Sequence, residues 1–262
     1  MRKLHFSYDM QIDYSSEVGR CNYTIKCIPT DTLRQKISNL KIDMSPETNY
    51  CVGRDGLRNT QIYGVNKLPH KSFVFHIEGD ADTGLCEFEE ESDDEIAMVF
   101  KHPHGMNIPG DAICSYFTRV NPPGDMNGYD RAKLMMHRLH EDFAYKQYTT
   151  NVNTTAEEAF LQGHGVCQDY AHIFIALMQL AGIPARYVTG MIVGEGASHA
   201  WVEILQNDKW YGFDPTNDKV VSDEHIKIGV GRDAGDCTIN RGIVHGGGQH
   251  TQKIQVYVTE RK

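Results

Sequence analysis

The chain has 262 residues, enough for one large domain or two small ones with a substantial core. Hydrophobic residues make up 40% of it and charged residues 23%, which excludes disordered, collagen-like and coiled-coil proteins. The 35 acidic residues outnumber the 26 basic ones and give a formal net charge of −9, so nucleic acid is not an expected partner.

The sequence contains neither an export signal nor a cysteine framework. Two basic residues near the N-terminus precede no apolar run, and no window approaches the ~18 apolar residues of a membrane span. We therefore expect a cytoplasmic protein that does not bind membranes. The seven cysteines are an odd number without C-x-x-C spacing, which favours neither a disulfide framework nor a zinc ribbon.

The first hundred residues predict β-strands. The segments LHFSYDMQIDY, CNYTIKCIP and SFVFHIEG alternate apolar and polar residues, and turn signals such as Asp55-Gly56 and Pro69 separate them. This pattern predicts an N-terminal antiparallel β-sandwich domain over residues 1–100. Ten acidic residues between Glu78 and Glu95 predict a solvated loop or strand edge, because no calcium-binding loop motif accompanies them.

The second half of the chain predicts helices followed by strands. Residues 101–128 form a connector rich in Pro and Gly, and an amphipathic stripe predicts a helix over residues 131–145. A second helix is predicted over 166–180, ended by Gly182 and Pro184. Strands are predicted over 186–193, 199–205, 209–213 and 252–258. Helices followed by an antiparallel sheet indicate an α+β fold, with a catalytic domain over residues 129–262.

The clearest chemical signal is a cysteine at the start of a predicted helix. Cys167 lies two residues after Gly165, in the first turn of the predicted helix, where free amides and the helix dipole favour a thiolate. The same amides can stabilise an oxyanion. His199 and Asp214 follow on neighbouring predicted strands, in the order of a nucleophile, a general base and an orienting carboxylate. A tight turn would bring these last two side by side at one sheet edge.

Each of these residues also has an ordinary structural explanation. A single cysteine is usually a small buried hydrophobe, and an aspartate before a proline is often a turn residue. Only the combination of Cys167, His199 and Asp214 favours catalysis.

Other conspicuous residues are predicted to be structural. His172 points away from Cys167 along the helix, and Asp169 is expected to pair with a nearby cation, Arg186 being the candidate. Trp201 and Trp210 are expected to pack in the core. Three pairs of histidines lack the further ligands of a zinc site, so no metal or other cofactor is expected. These pairs are His102 and His104, His137 and His140, and His245 and His250.

Four segments resemble the core blocks of the bacterial transglutaminase-like cysteine proteases. They are GVCQDYAH from Gly165, GIPARYVTG from Gly182, SHAWVE from Ser198 and FDPTN from Phe213. Gly231-Arg232-Asp233 and Arg241-Gly242 resemble the C-terminal block of the family, and the opening strands resemble its N-terminal β-rich domain. The chain departs from the family after Asp233, where it has Ala234-Gly235-Asp236 instead of an aromatic residue.

The resemblance implies a papain-like triad of Cys167, His199 and Asp214. The implied activity is hydrolysis of a peptide or amide bond in a peptide or protein substrate through a thioester. An acyl transferase that uses an amine, and a binding protein with a vestigial triad, remain alternatives. The second oxyanion donor is not identified by the sequence, although Tyr145 and Gln147 lie upstream where such a group could come from. The substrate and the oligomeric state also stay open.

Overall fold

The computed structural model describes residues 1–90 and 94–261. Its first half consists of strands that alternate between buried and exposed side chains. These are β1 (Arg2–Ile25), β2 (Gln35–Ser45), β3 (Tyr50–Arg54), β4 (Thr60–Asn66), β5 (His70–Thr83) and β6 (Phe88–Glu90).

Helices dominate the middle of the chain, and strands follow them. The helices are α1 (Asp94–Val99), a 3₁₀ turn (Gly105–Asn107), α2 (Asp111–Val120), α3 (Gly128–Asp142), α4 (Ala156–Gln162) and α5 (Cys167–Leu180). Two short strands, β7 (Ala144–Tyr145) and β8 (His164–Gly165), lie between them. The remaining strands are β9 (Ala185–Ile192), β10 (Gly194–Gly196), β11 (His199–Gln206), β12 (Lys209–Asp214), β13 (Lys219–Val220), β14 (His225–Gly231), β15 (Asn240–Gly246) and β16 (His250–Glu260).

The 24-residue strand β1 organises an eight-stranded antiparallel sheet. One of its edges pairs with β5 and β4, and the other pairs with β16 and β15. Strands from both ends of the chain therefore lie side by side. The two-sheet sandwich predicted for residues 1–100 is not confirmed, because the strands form one curled sheet that β1 connects. The predicted domain boundary near residue 100 stays a prediction.

The acidic stretch from residue 78 begins inside the sheet. Glu78, Asp80 and Asp82 lie on β5, which pairs with β1 on one side and β2 on the other, so they are not on a strand edge. Asp80 is buried and accepts hydrogen bonds from His5 and Asn39. The prediction of a wholly solvated segment was therefore wrong for this part of it. Residues 91–93 of the stretch lie outside the described residues.

The second sheet has six strands, with β13, β12, β11, β9 and β14 in that order and β6 beside β12. Helix α5 lies almost wholly buried against it, with Ile173, Phe174 and Leu177 in the same apolar core as Val202 and Phe213 of the sheet. The hairpin between β11 and β12 turns through two residues with positive φ, Asn207 and Asp208, as tight hairpin turns require. The predicted helix over 166–180 and the three strands after it are confirmed within one or two residues.

The predicted connector contains a helix. Within residues 101–128, α2 buries Ile113 and Tyr116 in the core around α5. The segment after α2 is more exposed, since residues 123–127 lie at the surface. Among the described residues, no helix combines the length and apolarity needed to cross a bilayer.

Candidate active site

The first turn of α5 is held by a carboxylate that folds back onto it. Asp169 Oδ2 accepts hydrogen bonds from the Val166 amide at 2.7 Å and from Thr150 Oγ1 at 2.7 Å. Its side chain leaves no room for a Cβ at Gly165, which explains the glycine there. These contacts fix the position of Cys167, the first residue of the helix, whose amide has no acceptor within the helix.

The predicted pairing of Asp169 with Arg186 was wrong. Arg186 on β9 faces Glu203 on β11 directly across the sheet, and its Nη2 lies 2.6 Å from Glu203 Oε2. Arg186 and Glu203 lie far apart in the sequence, so no local pattern indicated that they are cross-strand neighbours. Oδ2 of Asp169 accepts from neutral donors instead, its Oδ1 has no hydrogen-bond partner among the described residues, and burial raises the pKa of the carboxyl group.

His199 and Asp214 meet as predicted from the hairpin. His199 is the first residue of β11 and Asp214 the last residue of β12, and these strands pair antiparallel. His199 Nε2 lies 2.8 Å from Asp214 Oδ2. Asp214 is fully buried and His199 is 9% exposed. The Asp214 carboxylate therefore orients the imidazole and leaves Nδ1 available for another partner.

That other partner is Cys167. Burial lowers the pKa of His199, but hydrogen bonds to Asp214 and Cys167 and the attraction of both groups outweigh it and raise the pKa to about 10. A protonated imidazole is thereby favoured between the carboxylate of Asp214 and the sulfur of Cys167. The structure thus brings together all three residues that the sequence singled out, in the order sulfur, imidazole, carboxylate.

Two residues that sequence reasoning missed complete the environment of Asp214. Asn217 Nδ2 lies 2.7 Å from Asp214 Oδ2, and His225 Nε2 lies 3.2 Å from the same oxygen. Ser222 N donates to His225 Nδ1 at 3.4 Å, so the proton of a neutral His225 is on Nε2 and is donated to Asp214. Burial lowers the pKa of His225 and favours this neutral form.

These contacts stabilise the ionised form of Asp214. Burial alone would raise the pKa of this carboxyl group, but hydrogen bonds from His199 and His225 and the charge of His199 lower it well below its usual range. Asn217 stands three positions after Asp214 in the FDPTN block, a signal that could have found it. His225 begins β14, and no local pattern links it to Asp214.

The residues predicted to be structural are buried as expected. Trp201 and Trp210 are almost completely buried. His172 is fully buried, and its Nε2 accepts a hydrogen bond from the Ala234 amide at 3.1 Å. This bond anchors the loop after β14. Asp233 anchors the same loop through His104, whose Nδ1 lies 3.1 Å from its Oδ2.

Cys167 lines one cavity, and its neighbour in the chain lines a second. The first has a volume of about 480 Å³ and is lined by Cys167, His199, Asn217 and Tyr145. Gln147 is exposed but does not line it. The second has a volume of about 620 Å³. Its walls include Gln168, Ser198 and the loop Ala234-Gly235, where the chain departs from the family pattern.

One group of side chains among the described residues could surround a cation with its donor atoms. It consists of His199, Asp214 and His225, whose donor atoms lie within 4.8 Å of one another. Both imidazoles, however, approach the same carboxylate oxygen at distances of 2.8 and 3.2 Å. Two N–H···O hydrogen bonds account for this arrangement. Of the predicted histidine pairs, His104 and His137 each bind a carboxylate through Nδ1.

Comparison with known proteins agrees with this geometry. Residues 119–215, which include Cys167, His199 and Asp214, match the family model of the transglutaminase-like superfamily. This part of the chain is therefore similar to transglutaminase-like domains. The computed structure of the whole chain superposes on that of a protein from Cytophaga hutchinsonii, described as a candidate cysteine protease, with a TM-score of 0.83. The two chains share 19% identity, and the match covers 100% of this chain and 91% of the other.

Two curated relatives extend the comparison. An uncharacterized protein of Mycobacterium tuberculosis is 26% identical over 250 residues, covering 83% of this chain and 79% of that protein. A protein-glutamine gamma-glutamyltransferase of Pseudomonas aeruginosa is 33% identical over 114 residues, covering 38% of this chain and 17% of that protein. The fold of the chain is thus shown, and residues 119–215 are similar to the transglutaminase-like superfamily.

Proposed function

We propose that the protein is a cysteine hydrolase that cleaves a peptide or amide bond through a thioester, with Cys167, His199 and Asp214 as its catalytic triad. The observation that carries the proposal is His199, which is hydrogen-bonded to Asp214 at 2.8 Å and to Cys167 through its other nitrogen. A buried imidazole between a thiol and a carboxylate is the arrangement that activates a sulfur nucleophile.

In the first half-reaction, the Cys167 thiolate attacks the carbonyl carbon and forms a tetrahedral oxyanion. The Cys167 amide, free at the start of the helix, donates to that oxyanion. Tyr145 lines the same cavity and is our candidate for the second donor. The His199 imidazolium then gives its proton to the leaving nitrogen, and the carbon–nitrogen bond breaks to leave a thioester.

In the second half-reaction, His199 acts as a base. It takes a proton from a water molecule that attacks the thioester carbonyl, and the carbon–sulfur bond breaks to release the acid and restore the thiolate. Asp214 keeps the imidazole in place throughout and stabilises its charged form. Because Asp214 is held by Asn217 and His225 as well, its own position is fixed by three donors.

The proposal is tested with Cys167→Ala and Cys167→Ser. Mass spectrometry of a mixed peptide library should show that neither variant turns over any peptide. The unfolding midpoints of both variants should stay close to that of the parent. A parent-like turnover in either variant would contradict the proposal.

The state of the sulfur is tested separately by alkylation with iodoacetamide. Cys167 should react faster than the other six thiols, because the side chain of His199 is hydrogen-bonded to its sulfur and favours its reaction as a nucleophile. His199→Ala should slow the alkylation of Cys167. Reaction of Cys167 at the rate of the exposed Cys51 and Cys114 would support a vestigial site.

A second candidate function is acyl transfer to an amine. The similarity of 114 residues to a protein-glutamine gamma-glutamyltransferase favours it. Both reactions share the thioester and differ in whether water or an amine attacks it. Adding a primary amine to the peptide reaction separates them, because only a transferase incorporates the amine into the product at the expense of hydrolysis.

A further inference from the structure

Strands β15 and β16 follow each other along the same edge of β1, and their outer edge is mostly unpaired. β15 pairs with β1, and β16 pairs with β1 and, over residues 256–258, with β10. Within the described ranges 1–90 and 94–261, no further strand pairs with residues 240–255. Free N–H and C=O groups on such an edge can hydrogen-bond an extended chain. We call residues 240–255 the open edge.

The open edge borders the second cavity beside the nucleophile. That cavity, of about 620 Å³, is lined on one side by Gln168 and Ser198, the neighbours of Cys167 and His199 in the chain. On the other side it is lined by residues of the open edge, among them Arg241. An extended peptide on this edge would therefore lie next to a cavity that is lined by the chain neighbours of Cys167 and His199.

The charge of the open edge differs from that of the protein. Residues 237–259 contain no Asp or Glu, although the whole chain has 35. The edge carries Arg241 and Lys253, and both are exposed. Two further exposed side chains on the edge are those of His245 and His250.

Acidic groups lie on the flanking strands and do not line the cavity. The carboxylates nearest to the open edge belong to β1 and β10 and are those of Asp9, Asp13, Glu17 and Glu195. None of the described residues that line the second cavity is acidic. The cavity and the open edge thus form a neutral to basic surface on a protein of net charge −9.

We propose that an extended acidic segment of the protein substrate adds to the open edge as a further strand, beside the second cavity. The identity of the occupant as substrate rests on the proposed function. Main-chain hydrogen bonds to the edge supply affinity, and Arg241 and Lys253 select acidic side chains.

Binding is measured with the Cys167→Ala chain, which cannot turn over a substrate. The probes are fluorescein-labelled peptides of about ten residues, one alternating Glu with Val and the other alternating Lys with Val. Fluorescence anisotropy at low salt should show about tenfold tighter binding of the acidic peptide, and high salt should reduce the difference. A third peptide carries the acidic sequence with every second amide N-methylated, and it should lose most of its binding.

Charge reversal locates the site on the protein. Arg241→Glu combined with Lys253→Glu should weaken binding of the acidic peptide by about tenfold. The control is Lys41→Glu, an exposed residue on β2, which should leave binding unchanged. The unfolding midpoints of all variants are compared to show that each variant is folded. If a charge-reversal variant fails to fold, the comparison of the three peptides on the Cys167→Ala chain still tests the proposal.

Several results would overturn the proposal. They are equal binding of the acidic and basic peptides, equal binding of the N-methylated peptide, and unchanged binding after charge reversal in a folded variant. Tighter binding of a single-stranded oligonucleotide than of the acidic peptide would overturn it as well. An unreactive Cys167 would refute the proposed function but not affect these binding measurements, so the two failures are distinguishable.

Discussion

The buried side chain of His172 should make the protein sensitive to acid. Its Nε2 accepts from the Ala234 amide, so the proton is on Nδ1, which has no hydrogen-bond partner among the described residues. Burial lowers the pKa from 6.5 to about 4. The unfolded chain then binds more protons than the folded one between pH 4 and 6.5, so the free energy of unfolding falls as the pH falls through this window.

The size of this effect follows from the two pKa values. At 1.36 kcal/mol for each pH unit, it reaches about 3 kcal/mol at and below pH 4. In His172→Gln the amide oxygen can accept from the Ala234 amide and carries no titrating proton. We expect this variant to be less stable than the parent at pH 7 and to lose most of that difference by pH 4. Urea unfolding, followed by circular dichroism at half-unit pH steps, measures both curves.

The matched control is His137→Gln. His137 is exposed, and its hydrogen bond to Asp218 raises its pKa above 6.5. The contribution of His137 to stability is therefore fully present below pH 6.5 and is lost only above that pH. The free energy of unfolding of His137→Gln, plotted against pH, should thus run parallel to that of the parent between pH 4 and 6.5. If the His172→Gln curve also ran parallel to the parent across that window, His172 would not be a buried neutral imidazole, and our reasoning would be refuted.

Four further predictions concern the candidate site and its support. Asp214→Asn should lower kcat by about 10² to 10⁴ while leaving some activity, and parent-like rates of peptide cleavage would remove Asp214 from the triad. Tyr145→Phe should lower kcat by about tenfold to a hundredfold with little change in KM, whereas an unchanged kcat would exclude its hydroxyl as an oxyanion donor. Glu203→Gln should cost about 3 kcal/mol in urea unfolding at pH 7, because it leaves Arg186 and Lys227 without their buried carboxylate. Limited proteolysis should cut first in the exposed segment 123–127, and first cuts within residues 166–213, seen by mass spectrometry, would contradict this.

Local patterns were enough to predict the helix that presents Cys167 and the hairpin that joins His199 to Asp214. Both depend on neighbours in the chain, namely a helix start after glycine and a two-residue turn between strands. Cys167, His199 and Asp214 could therefore be singled out from the sequence as a candidate site.

Contacts between distant residues could not be predicted in this way. Arg186 faces Glu203 because of the register between β9 and β11, which no local pattern specifies. His225 reaches Asp214 from β14, which lies at the far side of β9. The closure of the first sheet by β15 and β16 likewise depends on pairing across more than 200 residues, and a single sequence without internal repeats carries no signal for it.

The pairing of β1 with β16 also orders events during synthesis. β1 is synthesised more than 200 residues before its partner strand at residues 250–260, so this part of the sheet cannot close until that strand has left the ribosome. β10, which ends three residues before His199, pairs with β16 as well. A nascent chain therefore already contains Cys167 while the segment leading to His199 still lacks its anchor on β16.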